Sequence, residues 1–245
     1  MSEIPSVEEI AGRFARLQEQ VRGAEAAAGR SQESVQIELA AKYQAPERVL
    51  AALQAGGTLL GHNIIQQLEA SETALAAAAA PAHRTHVIGH VQNNKAAKAL
   101  RYSQCIETVD SLKLATRLDR LRGEHIQPWG EQQPFDIMIQ VNSSGAQSQY
   151  GRNPEQVLDL AGRIAELPHL RIIGLMTIGA HTDETSEIAR SFQIVRELRD
   201  ELQASGIASA TELSMGMTHD MDIAIAEGST IVRVGTAVFG PRPQV

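Results

Sequence analysis

The sequence predicts an α/β protein, a (β/α)₈ barrel of the TIM type preceded by one N-terminal helix. Three observations predict it. Strand-like and helix-like segments alternate roughly eight times, the repeat of a (β/α)₈ barrel, along a chain of 245 residues. The apolar strands carry polar or glycine residues at their C-terminal ends, where barrel chemistry gathers. The first strand ends in a lysine, whereas the alternative architecture, an open doubly wound sheet, wants a glycine-rich GxGxxG turn there.

The first element is an amphipathic helix from about Val7 to Ala28. Ser6 with Glu9 three residues later forms a capping box at its start. Strand candidates then follow at Val35–Ala41, Thr58–Gly61, Thr85–Gly89, Cys105–Val109, Phe135–Val141, Arg171–Met176, Thr211–Met215 and Thr230–Val234. Helical stretches lie between them at Pro46–Gln54, Ile65–Ala79, Leu112–Leu121, Pro154–Leu167, Ser186–Ala204 and Asp220–Ala226. The alanine run from Ala74 to Ala82 is interrupted only by Leu75 and Pro81, and reads as a surface helix ending in a loop. Asn93 and Asn94 read as caps of the next helix. The most linker-like stretch, 123–134 with Pro128, Gly130 and Pro134, fits a surface loop after a helix. Residues 1–245 therefore read as a single domain.

Composition narrows the function. The formal charge of -7 is dispersed, no basic stripe occurs, and aromatics make up only 3%, which argues against nucleic-acid binding. Cys105 is the only cysteine, so no internal disulfide is expected, and it reads as a small buried hydrophobe on a strand. No segment is apolar enough to span a bilayer, and the N-terminus lacks a basic region followed by an apolar stretch, so a cytoplasmic protein is the expectation. His219-Asp220-Met221-Asp222 resembles a metal cluster, but acids in a helix's first turn suit the helix dipole, and no metal is expected.

Lys42 closes the apolar run that begins at Val35. From this segment alone two readings stand. Lys42 snorkels to a solvated rim, or partial dehydration makes its amine a nucleophile suited to a Schiff base. The other strand ends carry His62-Asn63, His86 with Gly89 to Lys95, Asn142-Ser143-Ser144, Met176-Thr177, Ser214-Met215-Gly216-Met217 and Gly235-Thr236. Loops after strands seven and eight commonly hold phosphate in such barrels. Ser214-Met215-Gly216 and Gly235-Thr236-Ala237 offer hydroxyls and close backbone approach, although glycine after a strand also serves as plain turn chemistry. Arg233 shares a strand face with Gly235 and points inward, either to a buried carboxylate or to a ligand. Together a lysine for an aldehyde, a phosphate cradle and a ring-facing arginine describe a site for pyridoxal 5'-phosphate.

Several motifs carry a resemblance to a known family. They are Ala41-Lys42-Tyr43, Leu60-Gly61-His62-Asn63, the run from His86 through Gly89-His90-Val91-Gln92-Asn93-Asn94-Lys95, Gly174-Leu175-Met176, Leu213 to Met217, and Gly228 through Arg233-Val234-Gly235-Thr236 to Gly240. They resemble the pyridoxal phosphate homeostasis protein family (YggS/PROSC type), whose fold is similar to the barrel domain of alanine racemase. The resemblance implies that Lys42 forms the Schiff base and that Ser214, Gly235 and Thr236 hold the phosphate together with the Met215 backbone. It also implies that Arg233 faces the pyridine nitrogen and that Asn63 and His86 line the ring.

Departures from the family's pattern occur at His62, at Gln44-Ala45, and at Ala146 and Gln149, which replace charged residues around the mouth. The implied function is pyridoxal phosphate binding without turnover, in vitamin B6 and amino-acid homeostasis, by a monomer with pyridoxal-phosphate-dependent enzymes as recipients. The alternative is a true racemase or decarboxylase. A two-base racemase needs a second proton-transfer residue opposite the lysine. Strand alternation turns Tyr43 away from Lys42, Tyr102 lies near a helix end, and only Tyr150 sits on a mouth loop, so no catalytic residue is assigned.

Overall fold

The computed structural model describes residues 5–124 and 134–241. Eight parallel strands close into a barrel in sequence order: β1 Gln36–Ala40, β2 Leu59–His62, β3 Arg84–Val87, β4 Cys105–Val109, β5 Phe135–Gln140, β6 Leu170–Met176, β7 Glu212–Ser214 and β8 Ile231–Val234. The closing seam sets Glu38 of β1 opposite Arg233 of β8. Helices α1 Val7–Ala27, α2 Pro46–Gln54, α3 Ile65–Ala77, α4 Ala96–Tyr102, α5 Leu112–Gly123, α6 Val157–Ala165, α7 Thr185–Ala204, α8 Met221–Ala226 and α9 Thr236–Phe239 connect and surround the strands.

The expected strands all occur, with ends shifted by a residue or two. The capping box at the start of α1 is formed: Ser6 N–H donates to Glu9 Oε2 at 2.7 Å and Glu9 N–H to Ser6 Oγ at 3.3 Å. Two local expectations are corrected. Asn93 and Asn94 do not cap a helix; they form a 3₁₀ turn, Asn93–Lys95, that runs straight into α4 with no side-chain cap. The stretch expected to be one helix from Pro154 begins as a 3₁₀ turn, Pro154–Gln156, before α6. The short helix α9 follows β8 directly, in the place where such barrels commonly set a short helix. The expected loop at 123–134 lies largely outside the described residues, Pro128 and Gly130 with it.

Strand alternation divides the side chains between two packing layers. Leu39, Ala41, Leu60, Val232 and Val234 point outward and bury against Ile10, Phe14, Leu17 and Val21 of α1 and Val49 and Leu53 of α2. The N-terminal helix thus covers the β1–β8 side, packing against α2, α8 and α9. A larger outer cluster joins β3–β7 to α3–α8. Inside the barrel a smaller plug of Leu59, Cys105, Met138, Met176 and Ile231 fills one level, with Cys105 fully buried. β6 and β7 approach so closely that a Cβ at Gly174 would lie 2.0 Å from the Glu212 carbonyl oxygen. No described helix is long and apolar enough to cross a membrane.

Candidate functional site

The parity that turns Leu39 and Ala41 outward turns Glu38 and Ala40 inward, and Lys42 follows two residues beyond the strand end, at the C-terminal mouth. Glu38 is joined in the lumen by His86 of β3, Glu107 of β4 and Arg233 of β8, the first three fully buried and Arg233 5% exposed. Because an ionised carboxylate only accepts, His86 Nδ1–H donates to Glu107 Oε1, at 2.7 Å. Glu38 Oε1 stands 3.6 Å from the same nitrogen. A Cβ at Gly61 would meet the Glu38 carboxyl carbon at 2.8 Å, so glycine makes the room for that acid.

The two acids differ in charge state. Burial, and then the neighbouring Glu107 charge, push the Glu38 pKa far up. Burial also opposes ionisation of Glu107, but the hydrogen bond and charge of His86, the Arg233 charge and the Ser214 hydroxyl outweigh it and hold its pKa below the usual carboxylate range. The ionised Glu107 has its compensation in the His86 ring and the Arg233 guanidinium, as burial requires, and a protonated Glu38 adds no charge to the lumen. Among the described residues, Glu38, His86 and Glu107 have ligand atoms within 4.8 Å of one another, close enough for a metal ion. The nearby guanidinium and the His86–Glu107 hydrogen bond make a shared proton the simpler occupant.

Arg233 is held rigidly. Its Nη1 donates to Ser214 Oγ at 2.8 Å and its Nη2 to the Thr177 carbonyl at 2.6 Å. The Ser214 side chain therefore faces the lumen and braces Arg233. Met215 is also committed within the fold: its N–H donates to the Ile231 carbonyl at 3.0 Å, and its side chain is fully buried. At the mouth itself, Thr218 and Thr236 bring their hydroxyls to 3.4 Å. Gly216 beside them has φ 92°, a left-handed turn that glycine adopts without strain. A Cβ there would lie 2.5 Å from Ala224 Cβ. Thr218 was missed in the sequence; its signal was a hydroxyl two residues beyond Gly216.

Lys42 is half-buried at the mouth. Gly235 lies beside Ala40, 3.5 Å separating a Cβ at that position from Ala40 Cβ. Asn63 is half-buried on the adjoining loop, and a Cβ at Gly89 would lie 2.0 Å from its carbonyl oxygen, so the β2 and β3 loops are locked together. His86 sits deeper, at the level of Glu38. Tyr43 departs from expectation: β1 ends at Ala40 and Tyr43 takes φ 60°, which breaks alternation and brings its ring centroid to 5.1 Å from Lys42 Nζ. Tyr150 does reach the mouth loops, stacked on His90 with centroids 4.4 Å apart.

The departures from the expected charge pattern have structural uses. Gln149 accepts from Ser144 Oγ at 2.9 Å and donates to the Gly179 carbonyl at 3.1 Å, tying the loop after β5 to the loop after β6. His62 points outward, toward Glu72 at 3.9 Å, and burial lowers its pKa to about 4. Asp220 accepts the Met217 N–H at 2.5 Å and so closes the loop after β7.

The model for the N-terminal domain of alanine racemase matches residues 15–243. A protein from Vibrio alginolyticus named pyridoxal phosphate homeostasis protein is 37% identical over 225 residues, 91% of this chain and 93% of that one. One of the same name from Escherichia coli K12 is 32% identical over 238 residues, 96% and 97% of the two chains. PipY of Synechococcus elongatus, solved with pyridoxal phosphate bound, has a TM-score of 0.80 at 32% identity, covering 94% of this chain and 100% of that one. Alanine racemase from Clostridium difficile 630 shares the fold, with a TM-score of 0.75 at 13% identity; the match covers 96% of this chain and 60% of that one.

Proposed function

Because the chain belongs to the pyridoxal phosphate homeostasis protein family, with a barrel of the alanine racemase N-terminal type, we propose that it binds pyridoxal 5'-phosphate through a Schiff base on Lys42 and does not turn over a substrate. The observation that carries the reading is the position of Lys42 at the mouth, two residues beyond the inward Ala40, with the anchored Arg233 across the β1–β8 seam. The residues suit the group. Small neighbours, Ala40 and Gly235, leave space below Lys42 for a planar ring. The hydroxyls of Thr218 and Thr236, the Gly216 turn and the first backbone N–H groups of α9 suit a phosphate. Ser214 and Met215 serve this cradle from beneath, through Arg233 and through the β7–β8 pairing. Asn63 lines the lysine side, and His86 acts one level down through Glu107.

When bound, the cofactor supplies an aldehyde for amines and an electron-withdrawing pyridine ring. A guanidinium donates and does not accept, so a ring nitrogen that takes a hydrogen bond from Arg233 stays unprotonated and the ring withdraws electrons weakly. That favours holding over carbanion chemistry. We place the protein in the cytoplasm, as a single-domain monomer, with pyridoxal-phosphate-dependent enzymes as recipients and vitamin B6 and amino-acid homeostasis as its role.

One observation favours a second reading, an amino-acid racemase or decarboxylase: Tyr43 lies beside Lys42. A racemase needs its second base on the opposite face of the substrate from the lysine, however, and Tyr43 adjoins the lysine itself. The test is the visible spectrum after incubation with pyridoxal phosphate. Wild type develops Schiff-base absorbance and Lys42→Ala does not; equal absorbance in the variant contradicts the reading. Conversion of L-alanine to D-alanine by wild type but not by Tyr43→Phe would establish the second reading.

A further inference from the structure

The N-terminal end of the barrel, opposite Lys42, holds a cavity of about 360 Å³, within the range of small-ligand sites. Its walls are the first inward residues of the strands, among them Arg84 of β3, Asp136 of β5, Arg171 of β6 and Glu212 of β7. His86 lines it from the inside, fully buried, and its Nε2 has no partner. Since Nδ1 is committed to Glu107, Nε2 is the ring atom left for the polar group of a ligand. At the rim, Arg171 Nε donates to Asp136 at 2.7 Å, whereas Arg84 reaches the same acid only at 3.9 Å and keeps donors for a carboxylate. Two arginines and two acids around one cavity suit a ligand that carries both signs or a neutral donor beside its carboxylate.

We propose that this lower mouth is a second ligand site, for a small α-amino or α-hydroxy carboxylate, with the carboxylate on Arg84 and Arg171 and the α-amino or α-hydroxy group on His86. The site is also wired to the upper one. His86 holds Glu107, and Glu107 shares the lumen with Arg233, so occupancy below alters the setting of the guanidinium above. That consequence rests on the cofactor reading; binding itself does not.

The test is calorimetric titration of the cofactor-free protein with L-alanine and L-lactate, with acetate as a carboxylate that has no adjacent donor. At least one of the two saturates the protein, acetate binds at least tenfold more weakly, Arg84→Gln loses tenfold or more, and Lys42→Ala is unchanged. Retained pyridoxal phosphate uptake and far-ultraviolet circular dichroism verify the folding of Arg84→Gln. In a methyl spectrum, Ile173 and Ile231 beside the cavity shift on binding and Met217 at the other mouth does not. Saturation by neither compound, equal binding of acetate, full binding by Arg84→Gln, or loss in Lys42→Ala overturns the proposal. If the site binds yet the visible spectrum of the loaded protein does not move, the site stands and the wiring falls.

Discussion

Arg233 and Glu38 face each other across the β1–β8 seam, and the charge assignment gives them unequal weight. Replacing Arg233 with Met takes the guanidinium from ionised Glu107 and is expected to cost about 3–5 kcal/mol in urea unfolding at pH 7. Glu38→Gln substitutes one neutral hydrogen-bonding group for another and is expected to cost about 1 kcal/mol or less. A larger loss from Glu38→Gln than from Arg233→Met would contradict the assignment. Outside the barrel, His62 stays neutral in the fold down to about pH 4, against an ordinary value of 6.5. Its contribution is complete above pH 6.5 and is lost as pH falls, because the unfolded chain takes up the proton first. Between those limits the slope approaches about 1.4 kcal/mol per pH unit, and His62→Asn should flatten it. Lys42 and Arg233 were legible because charged residues on apolar strands demand a reason. Glu38 and Glu107 were not, although Glu38 shares parity with Lys42, since an acid within a strand ordinarily marks a solvent-facing side and only barrel closure turns it inward.

At the level of elements, the apolar runs and the helical periodicity marked the strands and the longer helices, because each element buries one face against its neighbours. The capping box at the start of α1 was also legible, and Ser6→Ala is expected to cost about 1 kcal/mol of thermal stability. What stayed hidden depends on close approach in three dimensions. Gly174 reads as any strand glycine, yet its Cα lies against the β7 backbone, and Gly174→Ala is expected to cost about 1–3 kcal/mol by forcing β6 and β7 apart. Unchanged unfolding of that variant would mean the strands separate freely. Tyr43 escaped for a related reason: alternation holds only while the strand lasts, and β1 has stopped at Ala40 before the left-handed Tyr43.

For the whole molecule, a buried polar layer lies between two mouths. The C-terminal mouth gathers Lys42, Asn63, Gly235 and Thr236 from strands far apart in sequence, a convergence that the barrel reading anticipated. The polar layer beneath it and the lower cavity appear only once the sheet closes, because their residues come from five or more strands with no local motif. A barrel that holds an aldehyde with a weakly polarised ring should leave amino acids unchanged, so L-alanine incubated with the loaded protein is expected to yield no D-alanine above the cofactor alone. The most direct test of the central claim is borohydride reduction of the loaded protein, followed by proteolysis and mass spectrometry. The account predicts the reduced pyridoxyl phosphate adduct on the peptide containing Lys42, with none in Lys42→Ala; an adduct on another lysine, with Lys42 unmodified, would contradict it.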